Sequence, residues 1–374
     1  MKSEKSDFRN LQLKSDFMLA PLTTLGVGGK ARFFTEAQSV EEAEEALAFA
    51  QANSLGMFVL GGGSNILVAD NGFDGLVLAV RIKGIRVENE NDGVVVKAGA
   101  GEVWDDFVVW SIEKKLSGLE CMSGVPGTVG GAVVANLGCY GAQVSDTFVS
   151  AEVIDTKGAS DKVQVISKED CSFSYHDSMF GRASGRYVVV RATFKLSTDV
   201  SVVPAYRDNR FDMAGLSREL GHTPTQTEIR ESVLNMREEK GSLIMEGRKS
   251  FKCAGSFFHM PFVSGEKYEE IAKLARKLDA EKEERLRPWA WQQPDGLYKL
   301  APGFLLEYTK FKKGYVQGGA GISPLHTLSI INVGNARASE IAELARNMQN
   351  AVEKIFGIKL KLEVEYVGDV ENKK

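Results

Sequence analysis

The sequence predicts an α+β protein built as two domains joined by a connecting module. Three observations carry this reading. At 374 residues the chain is too long for one ordinary core. Strand-like runs and two glycine-rich loops dominate as far as Leu196, and two strongly amphipathic helices stand in the last third behind a polar interval.

In chain order, an apolar strand is expected at 31–35, a helix at 39–52 opened by the capping box Ser39-x-x-Glu42, and a second strand at 57–60. This is a βαβ-like opening, and the loop Gly61-Gly62-Gly63-Ser64-Asn65 follows it at once. Strand-rich sequence continues to Val95, a helix is expected over 103–115, and strands return to about 196, most clearly at Val188-Val189-Val190. The interval 204–240 begins Pro204-Ala205-Tyr206-Arg207-Asp208 and ends in a helix opened by Thr225-x-x-Glu228, with Ile229, Val233 and Met236 on one face. Beyond Cys253 come a helix carrying Ile271, Leu274, Ala275 and Leu278, and another carrying Ile341, Leu344, Met348, Val352 and Ile355, closed by Gly357. The expected divisions are 14–200, a connecting module at 201–245, and 246–368 with a last strand near 359–367.

Composition narrows the function. A formal charge of −4 with 26% charged residues gives no basic field for nucleic acid, so a small-molecule ligand is expected. No apolar run approaches the roughly 20 residues of a membrane span, and the charged start Met1–Asn10 lacks the apolar core of a signal peptide. A soluble, cytoplasmic protein with no membrane partner is the expectation. Cys121, Cys139, Cys171 and Cys253 are widely spaced, which indicates neither a metal site nor a disulfide framework. The sequence carries no signal for an oligomeric state.

The segment from Gly124 to Gly141 holds six glycines in eighteen positions and no charge. Glycine packs nothing and loses conformational entropy on folding, so such a cluster calls for positive φ, a tight turn or a ligand pressed on bare backbone. Any anion there would be held by N–H dipoles. The Gly61–Asn65 loop can present N–H groups to a diphosphate in the same way, although taken alone it reads equally as a tight turn. Neither loop fits G-x-G-x-x-G, and Gly26-Val27-Gly28-Gly29-Lys30-Ala31 lacks the Ser or Thr of a P-loop.

Together the motifs carry a family resemblance. Thr24-Leu25-Gly26-Val27-Gly28-Gly29, Gly61–Asn65, Pro126-Gly127-Thr128-Val129-Gly130-Gly131 with Asn136 and Tyr140-Gly141, Ala254-Gly255-Ser256-Phe257-Phe258 and Leu362-Glu363-Val364 resemble the UDP-N-acetylenolpyruvoylglucosamine reductases, flavoenzymes of peptidoglycan synthesis. The resemblance runs from about 22 to 368. It implies a vanillyl-alcohol-oxidase-like (PCMH-type) FAD-binding domain and a smaller α+β substrate-binding domain. It also implies NADPH as hydride donor and a nucleotide-sugar substrate. Gly61, Gly62, Gly63, Ser64, Asn65, Pro126, Gly127, Thr128, Gly130, Gly131, Asn136 and Gly141 would then hold FAD. The flavin is expected to be noncovalent, because His176, His222, His259 and His326 all lie outside both loops in sequence.

By the same resemblance Ser256 is the proton donor of the serine-using subtype, and Glu363 is the acid that assists the enolate. Glu365 would share its face by strand alternation, so the choice between them rests on the Glu363-Val364 match. Tyr206 would close over the substrate diphosphate, with Arg237 and Lys240 at the nucleotide phosphates.

Two positions depart from the family pattern. Tyr175-His176-Asp177-Ser178 has histidine where arginine would hold the enolpyruvyl carboxylate, and Met260 replaces an asparagine. The first change removes a bidentate, permanently charged contact worth roughly 1.5–3 kcal/mol. Arg182, Arg186 and Arg191 are the nearby guanidiniums that could compensate. The leading expectation is an active reductase in which protonated His176 takes the arginine's part. A related FAD oxidoreductase on another nucleotide-sugar or small acid and a catalytically silent flavin-binding paralogue stay open beside it.

Overall fold

The computed structural model describes residues 11–90, 93–158, 162–199, 213–244 and 251–370. The strand-rich first half forms two sheets. In the first, Lys14–Met18, Lys30–Ala37, Phe73–Val80 and Gly56–Leu60 lie side by side in that order, the outer pair antiparallel and the rest parallel. The expected βαβ opening is present, with helix Val40–Ala52 as its crossover and Phe73–Val80 inserted between its two strands. Ser39 caps that helix, its hydroxyl accepting from the Glu42 N–H at 3.2 Å.

The inserted strand is buried on both faces, as a central parallel strand must be. Leu76, Leu78 and Val80 pack in one core with Ala43, Ala46 and Leu47 of the helix, while Val77 and Ala79 point into another with Phe34 and Leu60. The second sheet is antiparallel, in the order Gln164–Ser167, Phe148–Asp155, Tyr187–Leu196, Gly93–Gly99, Ile85–Glu90. Its centre is the strand that holds the valine run. Val188, Val190, Ala192 and Phe194 are fully buried, and Tyr187 and Val189 on the alternate face reach a cleft.

Helix Gln226–Glu239 carries the expected capping box at Thr225 and Glu228. It is less a free connector than an extension of the first domain, since Ile229 and Val233 join that domain's core and Gln226 Nε2 donates to the Leu116 carbonyl at 2.6 Å.

The C-terminal part holds a four-stranded and a three-stranded sheet and the two expected amphipathic helices, Gly265–Leu278 and Ala338–Phe356. Gly357 ends the second at φ +66°. The last strand differs from the sequence expectation. It spans Glu365–Val367 rather than 359–367, so that Glu363 falls outside it, and it pairs in parallel with Ile66–Val68 of the first half. The exchange is mutual, because Leu25, Val27, Leu67 and Ala69 are buried in the C-terminal core.

A polar contact locks the same junction. Asp70 takes the exposed N–H groups at the start of helix Ala338–Phe356, accepting from Ala338 at 2.6 Å and Ser339 at 3.1 Å. We expect Asp70→Ala to destabilise the C-terminal part by about 1 kcal/mol, and Asp70→Asn to restore most of it. Urea unfolding followed by tryptophan fluorescence checks this through a lower midpoint at unchanged slope.

Candidate active site

The two glycine loops meet backbone to backbone. A Cβ placed on Gly62 would fall 2.5 Å from Gly127 Cα, one on Gly61 2.9 Å from Thr128 Oγ1, and one on Gly63 1.9 Å from the Leu22 carbonyl oxygen. Gly63 and Gly127 also sit at φ +63° and +132°. Ser64 Oγ crosses between the loops to the Pro126 carbonyl at 3.1 Å. Thr128 caps the short helix Val129–Val134, accepting from the Gly131 N–H at 3.3 Å. The result is a wall of backbone and small polar groups along a cleft of about 420 Å³, where the first domain and the C-terminal part face each other.

All of Gly61–Asn65 line this cleft, as do Pro126, Gly127, Thr128, Gly130 and Gly131. Asn136 and Gly141 do not. The Asn136 side chain, expected at the flavin, is 1% exposed and bonded inward to the Ser174 carbonyl at 2.7 Å and the Ser145 N–H at 3.0 Å. Gly141 serves a turn at φ +86°, and its neighbour Tyr140 lines the cleft instead.

Ser256, His176 and Glu363, some eighty residues or more apart in sequence, line the same cleft. Glu363 lies just ahead of the last strand. Its N–H donates to the Phe257 carbonyl and its own carbonyl accepts from Asn65 Nδ2, both at 3.0 Å, so the two halves of the chain grip it from either side. Burial pushes its carboxyl up to about 7, against the pull of the Lys299 cation. His176 Nδ1 stands 3.6 Å from Glu363 Oε1, close but beyond a formed hydrogen bond. Glu365 also reaches the cleft, but it is exposed and accepts from the Ser184 hydroxyl, which makes it a rim residue.

The position where the resemblance leads one to expect an arginine thus carries an imidazole facing a carboxyl group, and Met260 lies in the same cleft. The candidate compensating arginines do not come to it. Arg182 bonds Asp177 and the Ser172 carbonyl, Arg186 takes Asp155 with Nη2 at 2.8 Å, and Arg191 takes Glu152 at 2.8 Å. A cation that sequence reasoning missed lies closer: Lys299 Nζ sits 3.9 Å from the centre of the Tyr175 ring. Nothing in Tyr298-Lys299-Leu300 marks it in sequence. It is brought there by pairing of Lys299 with Phe262 across the three-stranded sheet, Phe262 being 5.8 Å from the same ring.

Of the expected phosphate contacts, Lys240 lines the cleft with Nζ 5.3 Å from the Tyr140 ring centre. Arg237 also reaches it, yet its guanidinium braces the glycine segment, donating to the Gly124 carbonyl at 3.1 Å and the Ser242 carbonyl at 2.9 Å. Gly124 is held from its other side by Asp105, which accepts the Gly124 N–H at 2.6 Å and a bidentate pair from Arg230. Burial opposes the Asp105 charge, but these donors outweigh it and leave the carboxyl below its ordinary range. Tyr206 lies outside the described residues. Distance from the loops in sequence does not keep histidines from the site, since His176 and His326 both line it.

Comparison with known proteins agrees with this geometry. Residues 31–162 match the FAD binding domain family, and residues 247–367 match the family described as UDP-N-acetylenolpyruvoylglucosamine reductase, C-terminal domain. The UDP-N-acetylenolpyruvoylglucosamine reductase of Thermobifida fusca is 34% identical over 351 residues, covering 94% of this chain and 96% of that protein. The enzyme of the same name from Pseudomonas savastanoi pv. phaseolicola is 34% identical over 356 residues, covering 94% and 98%. The crystal structure of UDP-N-acetylenolpyruvylglucosamine reductase from Thermus caldophilus shares the fold, with a TM-score of 0.61 at 24% identity over 96% of this chain and 99% of that one. With relatives this similar along nearly its whole length, the chain belongs to the UDP-N-acetylenolpyruvoylglucosamine reductase family of FAD-dependent oxidoreductases.

Proposed function

We propose that the protein reduces the enolpyruvyl ether of UDP-N-acetylglucosamine enolpyruvate to UDP-N-acetylmuramate with NADPH, in the cytoplasmic supply of peptidoglycan precursors. One observation carries this reading. A carboxyl group raised to about 7, an imidazole 3.6 Å from it and Ser256 line the same cleft as the backbone of the two glycine loops.

The residues present fit FAD. An uncharged wall with no room for a Cβ at Gly61, Gly62 or Gly63 suits a pyrophosphate held by peptide N–H groups, and Thr128 and Ser64 add short hydroxyls. When bound, noncovalently on this reading, FAD supplies the hydride relay from NADPH to the vinyl carbon. What remains for the protein is to hold the carboxylate, stabilise charge as it develops there, and protonate the adjacent carbon. Protonated His176 pairs with the carboxylate. Neutral Glu363 donates a hydrogen bond to it as it gains enolate character. Ser256 gives its hydroxyl proton to the carbon. Lys240, with Tyr206, is assigned to the diphosphate. Lys299 supports the positive field on the same side.

The overall test is stopped-flow absorbance of the flavin, first with NADPH and then with the enolpyruvyl substrate. Reduction by the first and reoxidation by the second are expected. A flavin bleached by NADPH but reoxidised only by other acceptors would overturn the substrate assignment.

Gly62→Ala should weaken FAD binding at least tenfold, because the methyl group must push the Gly127 backbone away. Flavin fluorescence on titration of the apoprotein reads this. Reoxidation should slow as pH rises through about 7, where Glu363 loses the proton it donates, and Glu363→Gln should remove that part of the fall. His176→Ala should lower kcat/KM for the enolpyruvyl substrate roughly 10- to 100-fold, the loss of one charge-assisted contact, while His176→Arg keeps activity. Steady-state kinetics at pH 6 separates the two variants.

A further inference from the structure

Asn136 does two jobs, and only one of them needs its side chain. The backbone job is to end the helix Val129–Val134. At φ +40° Asn136 lets its own N–H bond the Val133 carbonyl at 3.1 Å and the Leu137 N–H bond the Ala132 carbonyl at 2.8 Å, the closing pair of a left-handed helix stop. Glycine would do this at least as well. The side-chain job is different. Its amide spans two remote segments, Nδ2 donating to the Ser174 carbonyl at 2.7 Å and Oδ1 accepting from the Ser145 N–H at 3.0 Å, with the residue 1% exposed. Only an amide offers both a donor and an acceptor at this length.

Ser174 opens a tight turn. Its N–H donates to the Asp177 carbonyl at 3.0 Å and its carbonyl accepts from the Asp177 N–H at 3.2 Å, which leaves Tyr175 and His176 at the tip, His176 at φ +49°. The far end of the turn is fastened to the same glycine segment. Fully buried Ser178 donates its hydroxyl to the Val134 carbonyl at 2.6 Å, and Gly181 packs so closely there that a Cβ would lie 3.2 Å from that oxygen. Both ends of the turn are therefore bolted to residues 134–136, the tail of the segment whose head, 126–131, lines the flavin side of the cleft.

We propose that Asn136 is a positioning residue for His176, aiming the imidazole at the substrate carboxylate and at Glu363 from the flavin segment. The inference rests on the reading that His176 holds that carboxylate.

Asn136→Gly keeps the helix stop and deletes only the amide. In this variant, kcat/KM for the enolpyruvyl substrate should fall roughly ten- to a hundredfold, the scale of an ångström-sized misplacement. FAD affinity and the rate of flavin reduction by NADPH should stay within twofold. Ser178→Ala removes the other bolt and should show the same split, so a poorly folding Asn136 variant leaves the proposal testable. The deciding measurement is the double substitution. On a His176→Ala background, Asn136→Gly should cost nothing more, because the group it aims is gone. Effects that multiply in the double variant, or loss of FAD in Asn136→Gly, would overturn the positioning role. A kinetically silent His176→Ala would instead overturn the carboxylate reading beneath it.

Discussion

Residues 61–64 and 126–128 meet with the main chains of Gly62 and Gly127 in direct contact, and the rest of the site depends on that contact. A Cβ at Gly62 has nowhere to go but into Gly127. The contact is braced outward in every direction. Arg81 donates to the Gly61 carbonyl, Ser64 reaches the Pro126 carbonyl, and Thr24 donates its N–H to the Gly63 carbonyl and its hydroxyl to the Cys253 carbonyl, three residues ahead of Ser256. A cradle for an anionic cofactor built from peptide groups has no charge to hold it open or shut. Its shape is held by these neighbours, each bond worth roughly a kilocalorie per mole and together a fixed geometry.

Because one of those neighbours is Asn65, the cradle and the acid are a single mechanical unit. Asn65 donates to the Glu363 carbonyl, and two residues later the chain enters the parallel pairing with Ile66–Val68. On its other side Glu363 is fixed through the Phe257 carbonyl, next to Ser256. With its backbone held between two domains, Glu363 keeps its carboxyl half-buried, and that burial is what raises it to about 7. The exchange of segments between the domains, sealed by Asp70 at the start of helix Ala338–Phe356, thus sets the chemistry of the site as well as its stability.

Among the described residues, the arginines nearest His176 in sequence are held elsewhere, Arg182 with Asp177, Arg186 with Asp155 and Arg191 with Glu152. What faces Glu363 is an imidazole, with the Lys299 cation on the flank.

Local sequence was enough for features whose cause is local. The helix caps at Ser39 and Thr225 and the left-handed stop at Gly357 act through neighbouring residues, and each is legible one segment at a time. The family motifs likewise brought Ser256, Glu363 and His176 into view. Other assignments depended on partners far away along the chain. Asn136 looked like a polar reach into the flavin site, but its amide finds Ser174 and Ser145 instead. Arg237 looked like a phosphate ligand and is drawn to the Gly124 carbonyl; Lys299 carried no mark at all until sheet pairing set it beside Tyr175. The final strand pairs across the domain boundary because a strand's hydrogen-bonding groups are satisfied only by another strand, and nothing in Glu365-Tyr366-Val367 says which. By itself, then, the sequence determined the two glycine loops and the motifs that single out Ser256, Glu363 and His176 as candidates, since both reside in residue type and spacing. Only the tertiary structure decided which polar groups face the cleft and how Glu363 holds its proton, since direction and burial belong to the packed chain.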